Sequence, residues 1–356
     1  MSEVRAKKAL GQHFLVDLNI ARKICDALSG GVRPEAGAET RAVAAGSADA
    51  DAETRGGWYG YAGAGAEART MAAGSADAGA EARTKATGTA DADAETRRGV
   101  AASADARLAA DTTAAGAPAA AEEERSGAVP CDVLEVGCGM GVLTQFLLRR
   151  GDITTYGAEI DPESVEYLHA HFPEFAPRLI EGDFLKMNLR ERFPRGLKII
   201  GNFPYNISSQ IFFKVLEHRD LVPECVGMIQ KEVAVRIAEP PGSKEYGILS
   251  VLLQAWYDIE YLFTVNETVF NPPPKVKSAV IRLRRNSVGR LGCDEALFVK
   301  VVKASFGQRR KMIRNSLRAV FGDFGGAEHP FFTQRAEQLS VADFVQLTDW
   351  VAANRK

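Results

Sequence analysis

The segment of residues 131–144 constrains the fold more than any other part of the sequence. It begins as a short apolar strand, continues into a turn with glycines at positions 137, 139 and 141, and opens an amphipathic helix that extends through Leu147 and Leu148. The glycines allow the backbone to approach a ligand closely, and the first helical turn offers free N–H groups. A strand, a glycine turn and a helix in this order predict an α/β fold with a Rossmann-like sheet.

Three acidic residues near the predicted turns indicate which ligand the glycine turn binds. Glu135 precedes the turn, Glu159 ends the next predicted strand, and Asp183 follows a third strand. A carboxylate in the position of Glu159 can accept the hydroxyls of a ribose, and Asp183 is placed to accept an adenine amino group. Because residue 142 is Val, the turn lacks the G-x-G-x-x-G spacing of dinucleotide-binding enzymes. Together these features favour S-adenosylmethionine over NAD as the cofactor.

Another predicted strand ends in a polar and aromatic turn at residues 199–206, with the sequence Ile-Ile-Gly-Asn-Phe-Pro-Tyr-Asn. The Asn202 amide and the Phe203 carbonyl can accept the two N–H groups of an exocyclic aromatic amine. Pro204 cannot donate a hydrogen bond, and the Tyr205 ring can stack on a base. These groups predict a pocket for a flipped-out base. Taken alone, such a turn also fits the polar end of a buried strand.

With these motifs, the chain resembles the small-subunit ribosomal RNA adenine N6,N6-dimethyltransferases, which are relatives of the macrolide-resistance RNA methylases. The resemblance covers nearly everything outside residues 35–127. Its matching segments are residues 11–15, 135–141, 201–205, 230–233, 246–250, 270–276 and 315–317, together with Glu159 and Asp183. The chain departs from the family pattern where His13 replaces a frequent Asn, Cys138 a common Pro, and Phe203 the usual Leu.

The resemblance implies both a cofactor site and a substrate. The cofactor contacts that it implies are His13, Leu15, Gly137, Glu159, Asp183 and Asn202. It also implies that Phe270 stacks on the target base opposite Tyr205, although Phe270 and the prolines after it could simply form a rigid turn before an edge strand at residues 278–283. The expected activity of the monomeric enzyme is dimethylation of two adjacent adenines near the 3′ end of small-subunit ribosomal RNA, within the immature 30S-type subunit.

Charge is distributed unevenly along the chain, whose 44 basic and 46 acidic residues give a net charge of −2. Residues 35–127 carry 9 basic and 16 acidic residues, whereas residues 272–321 carry 13 basic and 2 acidic residues. Such a basic cluster is typical of a surface that binds a polyphosphate partner. The residues predicted to contact RNA phosphates are Lys275, Lys277, Arg309, Arg310, Lys311 and Arg314, together with Arg282, Arg284 and Arg285.

Residues 35–127 differ in composition from the rest of the chain. Ala, Gly, Asp, Glu, Thr and Arg dominate, and a unit of 14 residues recurs with ends at residues 39–41, 53–55, 67–69, 81–83 and 95–97. Because these units have few apolar residues to bury, we predict a disordered insertion without a catalytic role. An acidic tether that modulates RNA binding is the alternative. The predicted domains are an N-terminal basic segment and helix (1–34), the insertion (35–127), a methyltransferase domain (128–288) and a helical RNA-binding domain (289–356).

The cellular setting is predicted from what the sequence lacks. No uninterrupted apolar segment reaches the ~18 residues that a membrane-spanning helix needs, and the basic N-terminus has no apolar signal core. The five cysteines are scattered without C-x-x-C spacing, so neither a disulfide framework nor a metal site is expected. We therefore predict a cytoplasmic protein without a metal.

Three other functions share parts of this pattern. A DNA or large-subunit RNA adenine methylase would have the same base pocket but a different substrate surface. A ribosome-assembly factor without catalytic activity would bind RNA, although the intact glycine turn and residues 202–205 argue against lost activity. A small-molecule methyltransferase would leave the basic segment at residues 272–321 unexplained.

Overall fold

The structure, a computed structural model, describes residues 4, 6–7, 10–30 and 130–355. The predicted insertion at residues 35–127 lies outside them, so disorder there stays a prediction. The strands are β1 (Phe14–Leu15), β2 (Cys131–Val136), β3 (Ile153–Glu159), β4 (Leu179–Glu181), β5 (Lys198–Asn202), β6 (Glu224–Gln230), β7 (Tyr257–Val265), β8 (Phe270–Asn271) and β9 (Ser278–Arg285). The helices are α1 (Leu18–Asp26), α2 (Thr144–Leu147), α3 (Pro162–His171), α4 (Leu189–Arg192), α5 (Ser208–Glu217), α6 (Lys231–Ala238), α7 (Ile248–Gln254), α8 (Glu295–Gly307), α9 (Ile313–Phe321) and α10 (Val341–Asn354).

Seven strands form one sheet in the order β4-β3-β2-β5-β6-β9-β7. The first five are parallel, and β9 and β7 continue the sheet in antiparallel pairing. The chain moves outward from β2 to β4 and then returns to the other side of β2, so the strand order reverses between β2 and β5. Ligands of open α/β sheets bind at the carboxyl ends of strands beside such a reversal. The predicted α/β fold is confirmed, and its sheet places the glycine turn next to residues 202–205.

The sheet differs from the prediction at one edge. Residues 278–283 belong to β9, which lies between β6 and β7 and is therefore an interior strand, not an edge strand. The edge strand is β7, whose side chains are mostly half-buried, whereas the first four residues of β9 are all buried. The apolar run that opens β9 is typical of a strand covered on both faces.

Apolar layers cover both faces of the sheet because alternate residues of each strand point to opposite sides. On β5, Ile199 joins the larger cluster, whereas Ile200 joins the smaller one beneath α1 and α2. The larger cluster includes Phe298 of α8 and Phe344 of α10, so these C-terminal helices share its core. Among the described residues, no helix is both long and apolar enough to cross a membrane.

The chain before the predicted insertion is fixed at the amino edge of the sheet. The buried Lys198 Nζ donates to the carbonyl oxygens of Ser29 at 2.9 Å and Gly30 at 3.0 Å, and it pairs with the buried Glu224 at 3.1 Å. Strand β2 begins at Cys131 on the same edge, beside the start of β3. Gly30 and Cys131 therefore both lie at the edge opposite the carboxyl ends of the parallel strands.

Three arginines of β9 also belong to this amino edge, which separates them from the other residues predicted to bind RNA. Arg282 donates to the Ala27 carbonyl and pairs with Glu260, and Arg284 lies 3.7 Å from a Glu224 oxygen. Arg285 donates to four backbone carbonyls. Lys275 and Lys277 directly precede β9. Because β9 runs antiparallel to β6, its first residues lie at the carboxyl edge of the parallel strands, and its last residues, which include the three arginines, lie at the amino edge. These arginines therefore stabilise the fold and do not extend the basic surface around Lys275.

Candidate active site

A cavity lies at the carboxyl ends of the parallel strands, where the sequence predicted a ligand. Nine of the predicted site residues line this cavity: His13, Leu15, Gly137, Glu159, Asp183, Asn202, Phe203, Pro204 and Tyr205. Phe270 does not line it. Five segments that are distant in the sequence thus meet in space: the N-terminal segment, the glycine turn, the end of β3, the turn after β4 and the turn after β5.

The glycine turn lies beside the Asn202 backbone and packs closely on the Phe14 ring. Gly137 and Gly139 have φ angles of 76° and 52°, a conformation that side chains disfavour. A Cβ atom on Gly137 would lie 3.9 Å from the Asn202 carbonyl oxygen, and one on Gly139 would lie 3.1 Å from the Phe14 ring. The turn can bend this tightly because its glycines lack side chains, and the N–H groups of Gly137, Gly139 and Gly141 all donate within the protein, to Ala158, Glu159 and Cys138.

Two buried glutamates lie beneath the turn. Glu159 accepts backbone N–H groups from Gly139 at 2.8 Å and from Ile160 and Asp161 at 2.9 Å each. Burial raises the pKa of Glu159, while these three donors favour its charged form. Burial also raises the pKa of Glu135 to about 8, against the Thr144 hydroxyl that donates to it at 2.6 Å. An ionised carboxylate has about four lone-pair positions, so Glu159 keeps about one for a ligand hydroxyl.

The N-terminal segment crosses the cavity and joins its two sides. Phe14 packs on the glycine turn, and a Cβ atom on Gly11 would lie only 2.7 Å from the Asn206 side-chain oxygen. Further back, Lys7 hydrogen bonds to Asp161 and pairs with Glu163 at 3.0 Å. Burial alone would raise the pKa of Asp161, but hydrogen bonds from Lys7 and two other side chains outweigh it and lower that pKa. These contacts hold the segment over the cavity.

The orientation of the Asn202 amide follows from one hydrogen bond. Its Nδ2 atom donates to the backbone carbonyl of His13 at 2.9 Å. Because a carbonyl only accepts, the amide nitrogen must face His13, and the side-chain oxygen must face the other way. The next residue, Phe203, is fixed by its own N–H, which donates to the Met228 carbonyl at 3.0 Å. The strand end therefore holds an amide oxygen in one defined direction.

Tyr205 is held at both ends of its side chain. Its hydroxyl lies 2.5 Å from the Ser278 hydroxyl, and its ring stacks with the His13 imidazole at 5.4 Å between centroids. The His13 ring is fixed in turn, because Nδ1 lies 2.9 Å from the Pro272 carbonyl and must donate to it. Burial raises the pKa of Tyr205, partly opposed by Ser278. A neutral, oriented aromatic ring thus borders the cavity beside Asn202.

The structure differs from the sequence-based prediction at Phe270. The residue pairs with Leu15 in the short β1–β8 ribbon, is 4% exposed, and packs in the smaller apolar cluster with Ile24. The ring therefore contributes to the core and does not border the cavity. The family resemblance suggested a second stacking ring, and the pairing with β1 cannot be recognised from residues 270–276.

Several apolar residues of the cavity were not predicted from sequence, and Ile160 and Phe184 are two of them. Ile160, immediately after Glu159, is 51% exposed and lines the cavity, and Phe184 lines it next to Asp183. An apolar residue placed directly after a strand-ending carboxylate was the available signal. Asp183 uses one carboxylate oxygen to accept the Leu185 N–H at 2.9 Å, and its side chain remains partly exposed.

These residues fit an adenosine-containing cofactor. An exposed apolar side chain at Ile160 matches one face of an adenine, and the carboxylates of Glu159 and Asp183 match a ribose and an amino group. The described residues contain no group of three or more side chains that could hold a metal ion.

The predicted RNA-binding residues divide into two groups. Lys275, Lys277, Arg310 and Lys311 are exposed. Arg309 instead donates to the backbone carbonyls of Lys244 and Tyr246, and Arg314 pairs with Glu328 beside the Phe332 ring. Within the described residues, the side chains of the four exposed residues make no internal hydrogen bond or ion pair. They are therefore the better candidates for phosphate contacts.

Comparison with known proteins gives consistent matches. The family model described as ribosomal RNA adenine dimethylase matches residues 130–353. Ribosomal RNA small subunit methyltransferase A of Parabacteroides distasonis is 61% identical over 218 residues, covering 61% of this chain and 81% of the relative. The protein of that name from Bacteroides thetaiotaomicron is 59% identical over 221 residues, covering 62% and 82%. A crystal structure of a dimethyladenosine transferase from Plasmodium falciparum is 26% identical with a TM-score of 0.53, covering 63% of this chain and 90% of that one.

Proposed function

This chain belongs to the ribosomal RNA adenine dimethylase family, and from this premise we propose that it methylates N6 amino groups of adenines in small-subunit ribosomal RNA with S-adenosylmethionine. The orientation of the Asn202 amide carries the proposal. Its nitrogen is engaged by the His13 carbonyl, so its oxygen is available to accept a hydrogen from an exocyclic amine. The finer proposal is that the monomeric enzyme acts in the cytoplasm on the immature small subunit and dimethylates two adjacent adenines near the RNA 3′ end.

The cofactor would be held by residues that already line the cavity. Glu159 would accept a ribose hydroxyl, Asp183 would accept the adenine amino group, and Ile160 would pack against the adenine ring. Further contacts would come from His13, Leu15 and Gly137, which border the same cavity. When bound, S-adenosylmethionine supplies a methyl group attached to a sulfonium sulfur, and the leaving group of the transfer is a neutral thioether.

The chain's own contribution to the reaction is to bind and aim the amine. An adenine N6 lone pair is delocalised into the ring and is therefore a weak nucleophile. Hydrogen bonds from the amine to the Asn202 side-chain oxygen and the Phe203 carbonyl would favour a pyramidal nitrogen whose lone pair points at the methyl group. Stacking on Tyr205 would fix the plane of the base. Positioning of this kind can supply much of the rate without a strong general base, and the proton can leave to solvent after transfer.

The proposed function is tested by methyl transfer from labelled S-adenosylmethionine to immature small subunits and, separately, to naked large-subunit RNA. The RNA is then digested to nucleosides and the labelled product is identified. Labelled N6,N6-dimethyladenosine from the small subunits alone is the expected result. Label in the large-subunit RNA would favour the alternative methylase, and binding of small subunits without transfer would favour an assembly factor.

RNA binding is proposed to depend on the exposed residues of the helical domain at 289–356 and of the loop before β9. Replacing Arg310 and Lys311 together with Gln is expected to weaken binding to the immature subunit. Log affinity falls with log salt concentration, and each lost phosphate contact should make this slope less steep by about 0.7–0.9, so the pair should make it less steep by about 1.4–1.8. Binding measured across a salt series checks this.

A matched control is the Arg192→Gln, Arg195→Gln double variant, which also removes two exposed positive charges but lies before the amino end of β5. Its salt slope is expected to equal that of the wild type. Equal salt slopes for all three proteins would show that Arg310 and Lys311 do not contact RNA phosphates. Equal changes of slope in both variants would show that binding depends only on net charge.

A further inference from the structure

Two strand glycines lie opposite each other beneath the turn that carries Asn202. Gly201 of β5 is paired with Gly227 of β6, and neither has a positive φ angle, so backbone conformation does not explain their small size. A Cβ atom on Gly227 would lie 2.4 Å from the Phe203 Cε2 atom. A Cβ atom on Gly201 would lie 2.9 Å from the Phe203 Cε1 atom and 2.5 Å from the Val136 carbonyl oxygen.

The Phe203 ring therefore straddles the glycine pair, and it is surrounded by other core residues. It is wholly buried in the larger apolar cluster, and it meets the Phe212 ring edge-to-face at 5.8 Å between centroids. The Phe203 backbone is also fixed, because its N–H donates to the Met228 carbonyl next to Gly227. In a core packed this closely, an added methyl group must displace a neighbour.

We propose that Gly201 and Gly227 form a positioning platform, which seats the Phe203 ring and thereby sets where the Asn202 side-chain oxygen and the Phe203 carbonyl stand in the cavity. This inference rests on the proposed function, since these two atoms are the acceptors assigned to the target amine. Asn202 lies between Gly201 and Phe203, so any displacement of the ring is passed directly to it. A misplacement of about 1 Å can lower a rate about 100-fold when catalysis depends on positioning.

The two glycines leave space for a large side chain at position 203. A Leu side chain at this position would lack the Cε atoms, which make the closest approaches of the ring to the two glycines. Without Cβ atoms on Gly201 and Gly227, the larger Phe ring fits the same place. A smaller residue at 203 should therefore tolerate a Cβ atom on Gly227, whereas Phe should not.

The experiment combines Gly227→Ala, Phe203→Leu and the double variant in the full chain. Gly227→Ala is expected to lower kcat on immature small subunits about 10- to 100-fold, with little change in the affinity for S-adenosylmethionine or for the subunits. The double variant is expected to recover most of the activity of Phe203→Leu alone. In the cofactor-free proteins, Gly227→Ala should lower the urea unfolding midpoint by more when residue 203 is Phe than when it is Leu.

Gly151→Ala is the matched control, because a Cβ atom there would have nothing within 4 Å. It should keep the wild-type kcat and unfolding midpoint. If Gly227→Ala keeps the wild-type kcat, or if Phe203→Leu does not rescue it, there is no positioning platform. If Gly227→Ala does not fold, the comparison of the double variant with Phe203→Leu still decides the matter. Wild-type protein that transfers nothing to the subunits would instead disprove the proposed function.

Discussion

Replacing Asn202 with Ala is expected to lower the rate of methyl transfer about 100- to 1,000-fold, the size of effect found when one preorganised hydrogen-bonding group is removed from an active site. The variant loses the amide oxygen that would accept an N6 hydrogen, and it also loses the hydrogen bond to the His13 carbonyl that orients this oxygen. The measurement is a single-turnover rate with labelled S-adenosylmethionine and immature small subunits.

A control for this change is Asn354→Ala, because Asn354 also donates its Nδ2 to a backbone carbonyl at 2.9 Å, but at the end of α10. Its transfer rate should match that of the wild type. Because Asn202 borders the cofactor cavity, the affinity for S-adenosylmethionine must be measured separately and saturated in the rate assay. A rate for Asn202→Ala near that of the wild type would assign the amine-binding role to another group.

The sequence predicted the cavity well because its residues occupy strand ends. Glu159 and Asn202 end β3 and β5, Gly137 follows β2, and Asp183 comes two residues after β4. In a parallel sheet, such positions meet at one edge whatever the loop lengths between them. Each motif could therefore be located from hydrophobic runs and turn residues alone, without knowledge of the strand order.

Features that depend on register or on strand direction could not be predicted in this way. The β1–β8 pairing buries Phe270, and the antiparallel direction of β9 carries Arg282 and its neighbours to the opposite edge from Lys277. Both relations join segments that are far apart in the chain. The pairing of Gly201 with Gly227 has the same character, since two ordinary strand glycines become meaningful only when they face one ring.

Replacing Glu159 with Gln is expected to weaken binding of S-adenosylmethionine by about 100-fold, since hydrogen bonds to a charged group contribute about 1.5–3 kcal/mol each. The carboxylate accepts three backbone N–H groups from the adjacent turns after β2 and β3, at Gly139, Ile160 and Asp161. A Gln side chain has a single acceptor oxygen and turns an NH₂ group toward at least one of these donors. The variant would thus lose the proposed ribose contact and at least one of the hydrogen bonds that tie Glu159 to the backbone around the cavity.

The measurement is calorimetric titration of the folded variant with S-adenosylmethionine, and Glu181→Gln provides the control. Glu181 ends the neighbouring strand β4 and is paired with Glu159 in register, but its exposed side chain contacts His169 outside the cavity. Glu181→Gln makes the same chemical change at the same edge of the sheet and should leave the affinity unchanged. If both variants bind the cofactor as the wild type does, Glu159 serves the fold of the turn without contacting the ribose. If both lose affinity equally, the effect comes from the charge of this edge and not from the geometry of Glu159.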